Sequence, residues 1–266
     1  MKILVAGNTG LVGSALYRSF EKLGNSMVGL NRSVVDLMCL DETISFFQDT
    51  KPSLVIAAAA KVGGINANNL FPVEFLMTGP LEPTNSAYAI AKIAGIELVN
   101  AYRKEFGVSW ISLMPTNLYG PGDNFDLSNS HVLPAFIRRF IEAEESGTEK
   151  VTLWGSGAPL REFLHVDDLA HAVVIASERY DHSLHLNIGS GEDISIKDLA
   201  EKVANAAGFS GRIEWDASKP DGTRRKILDV SRIKALGWEP AITLDEGIAS
   251  TIAWYKEANA RGEVRR

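Results

Sequence analysis

Tyr88 and Lys92 stand four residues apart in EPTNSAYAIAKIAGI, the stretch from Glu82 to Ile96. On a helix that spacing puts both side chains on one face about a turn apart, so an ammonium can lie beside a phenol. A free tyrosine titrates near pH ~10, and a neighbouring cation favours its ionised form. A phenol tuned in this way can give or take a proton near neutrality, as carbonyl reduction requires. The pair also fits a surface tyrosine beside a solvated lysine, because a Tyr-x-x-x-Lys match is common. Among the six tyrosines only Tyr88 has lysine four positions on.

Three other groups of residues bear on chemistry. GNTGLVG, comprising Gly7, Asn8, Thr9, Gly10, Leu11, Val12 and Gly13, falls between a first strand and a first helix. A glycine-rich turn there lets a dinucleotide pyrophosphate approach backbone amides at the helix N-terminus. Its Gly-x-x-Gly-x-x-Gly spacing is the looser form of the fingerprint, equally open to a merely tight turn. Past the second strand stand Asn31, Arg32 and Ser33, where an acidic residue would bind the ribose diol of NAD. A guanidinium at Arg32 suits a 2′-phosphate instead, so NADP is expected over NAD. His131, in SNSHVLPAF, is of the type used for proton transfer near pH 7, though a lone histidine is as readily structural. Arg139, Trp154, Arg161 and Asp221, with Arg224 and Arg225 nearby in sequence, could together hold a nucleoside diphosphate. Guanidinium groups pair bidentately with phosphate, and an indole face stacks on a flat ring.

The elements that must position these residues alternate between strand and helix in the first half, the pattern of a parallel sheet wrapped by helices. Residues 2–6 read as a buried strand. Residues 11–23 read as a helix whose apolar face carries Leu11, Ala15, Leu16, Phe20 and Leu23. Met27–Leu30 is a second strand, Asp41 is a candidate cap for a helix through Phe47, and Leu54–Ala60 suits a strand buried on both faces. Residues 61–85, with Gly63, Gly64, Pro72, Gly79, Pro80 and Pro83, read as loop. A helix from about Ala87 to Phe106 carries the Tyr88/Lys92 pair, and Val108–Met114 is the next strand. After a long loop, GPGDNFDLSNS, a helix runs from Val132 to Glu145 and a strand covers Val151–Trp154. Asp167 and Asp168 are candidate caps for a helix to Glu178, His185–Ile188 is a strand, Ser195 caps a helix to Ala207, and the last helix spans Leu244–Ala260. The expected fold is α/β: a Rossmann-type doubly wound parallel sheet over residues 1–130, with later strands returning to it. A smaller α/β substrate domain occupies mainly residues 131–266.

Hydrophobic residues at 45% and charged residues at 23% over 266 positions fit a soluble globular chain with a sizeable core. The balance of 27 basic to 33 acidic residues, a formal charge of −6, argues against broad binding to nucleic acid or an anionic membrane. The single cysteine, Cys39, can form no internal disulfide. With Met1-Lys2 leading straight into ILVA and no membrane-length apolar run, the expected location is the cytoplasm.

Several long strings stand in a fixed order: AAAKVGGINANN from Ala58, GPLEPTNSAYAIAKIAGI from Gly79, MPTNLYGPGDNFDLSNSHVLPA from Met114, LWGSGAPLREFLHVDDLA from Leu153 and DASKPDGTRRKILDV from Asp216. Together they resemble the GDP-L-fucose synthase family, the 3,5-epimerases and 4-reductases among the extended short-chain dehydrogenases. The resemblance covers nearly the whole chain. It implies NADP(H) as cofactor and GDP-4-keto-6-deoxymannose as substrate, with Tyr88 giving a proton to the sugar C4 oxygen. Lys92 would lower the phenol's pKa and bind the nicotinamide ribose. Pro115, Thr116, Asn117 and Leu118 match the nicotinamide-side loop. His131 matches the general acid of epimerisation, placed beside the cofactor, and Arg139, Trp154, Arg161 and Asp221 match contacts to the GDP-sugar. A C4 ketone acidifies the protons at C3 and C5, so one pocket can invert both centres before reduction.

The likeness breaks between Phe75 and Met77, where PVEFL runs directly into MTGPLEP. Family members carry a further helix and strand here, the strand ending in Ser-Ser-Cys. An αβ unit on the order of 30 residues or more is thus missing after residue 76. With it go the serine that binds the substrate carbonyl and the cysteine that acts as epimerisation base. A legal right-handed crossover remains. The strand at Val108–Met114 must then either move about ~4.8 Å to close the vacancy or leave two central edges unpaired. The missing helix belongs to the surface through which relatives pair, which bears on the homodimer the resemblance implies. Two other readings stay open: a non-catalytic NADP or nucleotide-sugar binding variant, and a related nucleotide-sugar epimerase that retains NAD(P).

Overall fold

The structure, a computed structural model, describes residues 1–59, 86–219 and 221–265; within these, the side chains of residues 86–89 are left aside. Strand β1 (Lys2–Ala6) is the centre of the first sheet. It pairs in parallel with β2 (Ser26–Leu30) on one side, Lys2 opposite Ser26, and with β3 (Leu54–Ala57) on the other, Ile3 opposite Leu54. Helix α1 (Leu11–Lys22) lays Ala15, Leu16 and Phe20 against β1, while Leu23, expected on that face, lies past the helix end and is exposed. Helix α2 (Leu40–Thr50) starts at Cys39, so Asp41 sits inside the first turn, where its charge favours the positive helix end, and caps nothing.

Helix α3 (Ser86–Phe106) leads to β4 (Leu113–Pro115), which pairs with β8 (Leu186–Ile188). Strand β5 (Asn117–Tyr119) pairs with β7 (Leu160–His165), which also holds β9 (Asp193–Ser195) antiparallel and the two-residue β11 (Arg225–Lys226) parallel. Strand β6 (Lys150–Trp154) pairs with β10 (Arg212–Asp216). Helix α4 (Val132–Glu145) packs on α6 (Ile196–Ala207), which packs in turn on α8 (Leu244–Ala260). Helix α5 (Val166–Arg179) packs on α1, and the short α7 (Ser231–Ala235) lies against β8. The α/β class and the parallel pairing are as expected.

Two large apolar clusters form. One joins β1 and α1 to α5, β8 and Trp238; the other joins α4, α6 and α8 to Phe125, Leu153 and Phe163. Caps read from sequence hold at Ser195, whose Oγ accepts from the Asp198 amide at 3.0 Å. The α5 cap is His165 rather than Asp167 or Asp168: its Nδ1 accepts from the Asp167 amide, while buried Asp168 accepts from the amides of Ala241 and Ile242. Among the described residues no helix is long and apolar enough to cross a membrane.

The main departure lies at β3. Expected to be buried on both faces, it alternates half-buried and exposed residues, with Val55 at 45% exposure. Val55 stands opposite Leu4, which is fully buried, so the same sheet face is covered over β1 and open over β3. Among the described residues β3 pairs only with β1, and β4 only with β8. The expected strand over Val108–Met114 is correspondingly short. Among the described residues β3 and β4 do not pair with each other. The predicted loop over residues 61–85 lies outside the described residues.

Candidate active site

The N-terminus of α1 is bare. Gly10 is its cap residue and offers no side chain, and helix geometry leaves the amides of Leu11, Val12 and Gly13 without intrahelical partners. Gly7 has φ +83° and donates its amide to the Leu30 carbonyl at 2.7 Å, fixing the turn to the end of β2. A β-carbon at Gly13 would lie 2.0 Å from the Gly7 carbonyl oxygen, so turn and helix can meet this closely only with glycine there. Asn8 reaches over β2, where a β-carbon at Gly29 would collide with it, and its Oδ1 accepts from Asn31 at 3.4 Å. Thr9 is exposed on the turn, and Arg32 is exposed beside Asn31. Unpartnered amides, a close backbone approach and a free-standing guanidinium past β2 fit a dinucleotide bearing a 2′-phosphate.

Tyr88 stands in the first turn of α3, and its side chain lies outside what is described; Lys92 follows one turn on. Partial burial holds the Lys92 ammonium below its ordinary value, although the residue as a whole is exposed. His131 is the cap residue of α4 without a capping side-chain bond. Surrounding protein lowers its pKa, yet much of the residue stays open to solvent, which tempers the effect. Pro115 to Leu118, expected as a loop, span the end of β4 and the start of β5; Asn117 Nδ2 and Thr116 Oγ1 donate to the Glu162 carbonyl at 2.8 and 3.3 Å, and the Thr116 amide donates to the Ile188 carbonyl.

The expected substrate residues gather in two places. At the end of β6, Arg139 donates to the Thr152 carbonyl and Trp154 is 66% exposed with Lys219 Nζ 5.8 Å above its ring. Asp221 accepts from Ser156 through the amide at 2.9 Å and the hydroxyl at 2.6 Å, and these bonds hold its carboxyl below the usual range. On β7, Arg161 stands opposite Lys226, next to Arg225, which is paired with Asp193. The first group offers a flat apolar face and the second a cationic edge.

Sequence reasoning passed over Glu162 and Ser156. Glu162 is fully buried in β7, its carboxylate accepting from the amides of Gly191 at 2.7 Å and Leu228 at 2.9 Å. A carboxylate next to the apolar pair Phe163-Leu164 in the strand LREFLH was the available signal, because such a group must find partners if buried.

A family model described as the NAD dependent epimerase/dehydratase family matches residues 3–79 and 73–189. Probable GDP-L-fucose synthase 1 of Oryza sativa subsp. japonica is 45% identical, covering 96% of this chain and 92% of that protein. GDP-L-fucose synthase of Escherichia coli (strain K12) is 41% identical, covering 98% of each. The chain belongs to the GDP-L-fucose synthase family. Its fold agrees with that membership: a solved GDP-L-fucose synthetase from Naegleria fowleri bound to NADP superposes with a TM-score of 0.87 at 27% identity, covering 100% of this chain and 96% of that one. The family is also where the break becomes measurable. The two stretches matched by the family model overlap at residues 73–79, around the junction at Leu76 and Met77. The alignment to the Oryza protein runs over 302 positions against 266 residues here, so at least 36 positions, the difference, have no counterpart in this chain.

Proposed function

We propose that this chain is an NADPH-dependent epimerase/reductase acting on GDP-4-keto-6-deoxy-D-mannose to give GDP-L-fucose, working well below the rate of a complete family enzyme. The observation that carries the reading is the uncapped α1 N-terminus with Gly7, Gly10 and Gly13, in a chain aligned with GDP-L-fucose synthases over nearly all its length. When bound there, the cofactor supplies hydride for C4. Tyr88 holds a proton for the C4 oxygen, and Lys92, four residues on, favours the phenolate that remains. His131, at the open start of α4, hands a proton to the carbon being inverted. Arg139, Trp154, Arg161 and Asp221 hold the GDP moiety, with Trp154 offering a stacking face and Arg161 a phosphate partner.

The reduced rate follows from the break. Cys39 is the cap residue of α2, in the connection between β2 and β3, and is not a replacement for the absent base. Misplacement of reacting groups by about 1 Å already slows chemistry by about 100-fold. Among the described residues β3 pairs only with β1 and β4 only with β8, so none of these strands sets that placement between them. The reading also divides the chain at about residue 130 and puts it in the cytoplasm.

Incubation with NADPH and GDP-4-keto-6-deoxymannose, following cofactor oxidation and product, tests this reading. Slow oxidation that disappears in Tyr88→Phe is expected; turnover equal to that of a complete family member would overturn the impairment. The absent unit favours a second reading, a binding protein without catalysis, which predicts tight NADPH binding by calorimetry and no oxidation. An epimerase retaining NAD is disfavoured by Arg32 and predicts no preference for NADPH over NADH.

A further inference from the structure

We infer that Glu162 is a positioning residue that pins the substrate-side segment from Asp221 to Leu228 onto the strand next to the Thr116–Asn117 loop; the inference rests on the nucleotide-sugar reading of that segment. A carboxylate at 0% exposure needs a partner for each oxygen. Here Oε1 receives the Gly191 amide and Oε2 the Leu228 amide, both charge-assisted bonds of normal length. The space for this is made by glycine, since a β-carbon at Gly189 would lie 2.1 Å from Oε1.

The location of the two amides explains the choice of a carboxylate. Strand β11 pairs with β7 for only two residues, ending at Lys226 opposite Arg161. The chain then leaves the ladder, and the Glu162 side chain takes up the Leu228 amide in place of a strand carbonyl. At its other end the segment is tied by Asp221 to Ser156. Arg224 and Arg225 are therefore carried between two side-chain anchors, one at the end of β6 and one in β7. The Glu162 carbonyl meanwhile accepts from Asn117 and Thr116, so one residue contacts the loop on one side and the segment on the other. Its carboxylate bonds only the Gly191 and Leu228 amides, and the loop is met by its backbone carbonyl alone, which makes an asymmetric effect of a side-chain change on the two ligands the expected signature.

Two variants test the assignment. Glu162→Gln keeps the shape but turns an amide N–H toward one of the two backbone donors. Gly189→Ala leaves Glu162 intact and pushes a methyl against Oε1. Calorimetry with GDP and with NADPH should show GDP affinity lowered about tenfold or more in each variant, and NADPH affinity within about twofold of the parent. Hydrogen exchange should quicken in peptides containing Leu228 and Gly191. Equal losses for both ligands, or faster exchange with GDP affinity unchanged, would overturn the positioning role. If Glu162→Gln does not fold, Gly189→Ala alone decides by the same criteria. A parent protein that binds NADPH but not GDP would instead overturn the nucleotide-sugar reading, and the inference with it.

Discussion

A single methyl separates a dinucleotide cradle from a blocked turn at Gly13. Gly13→Ala sets a β-carbon 2.0 Å from a backbone oxygen that has no flexible tip to move aside. We expect NADPH affinity to fall by at least about tenfold and the melting temperature to drop by several degrees, read by calorimetry and thermal denaturation. Asp123 gives a prediction on pH. Burial pushes its carboxyl up to about 7, against a lowering by the Asn124 amide and Arg265, and its Oδ2 has no hydrogen-bond partner. A raised carboxyl means that the folded protein prefers the protonated form. Its stabilising share is complete below the unfolded value near ~4 and is lost as pH rises through about 7. At ~1.4 kcal/mol per unit, the change is at most about 4 kcal/mol. Asp123→Asn should flatten that fall, so the gap in melting temperature between variant and parent should widen from pH 4 to pH 7 and then level off. The Gly7–Gly13 turn was legible in the sequence because its requirement is local. Glu162 was not, since its partners lie 29 and 66 residues away and only the folded chain brings them together.

At the scale of elements, helices were read closely because periodicity and caps are encoded within a few residues. Val132–Glu145, Ile196–Ala207 and Leu244–Ala260 begin and end where their sequences indicate, the last with Thr243 and Glu246 closing a capping box. Strand β3 was misread in burial because an all-apolar run tells what a strand can tolerate, whereas its cover is supplied by neighbours far along the chain. The open face makes a distinctive prediction. Val55→Lys should lower stability by less than about 1 kcal/mol in a denaturant titration. A loss of 3 kcal/mol or more, as expected for an unpaired charge placed in a covered sheet, would contradict the exposed face.

At the scale of the molecule, the family resemblance, the two-part family match and the length of the alignment to the Oryza relative locate one discontinuity. The match overlaps at residues 73–79, and among the described residues β3 and β4 do not pair with each other. The rest of the architecture survives because β1, α1 and α5 share one apolar cluster and α4, α6 and α8 share another, neither built on the missing unit. On the proposed reading, what suffers is the part of the site that a central strand would have carried. Restoring that unit tests the account most directly: the helix–strand segment of the Oryza relative, inserted between Leu76 and Met77, with turnover of GDP-4-keto-6-deoxymannose and NADPH measured beside the parent chain. A rise of at least about 100-fold is predicted. A parent chain already as fast as its filled-in counterpart would contradict it.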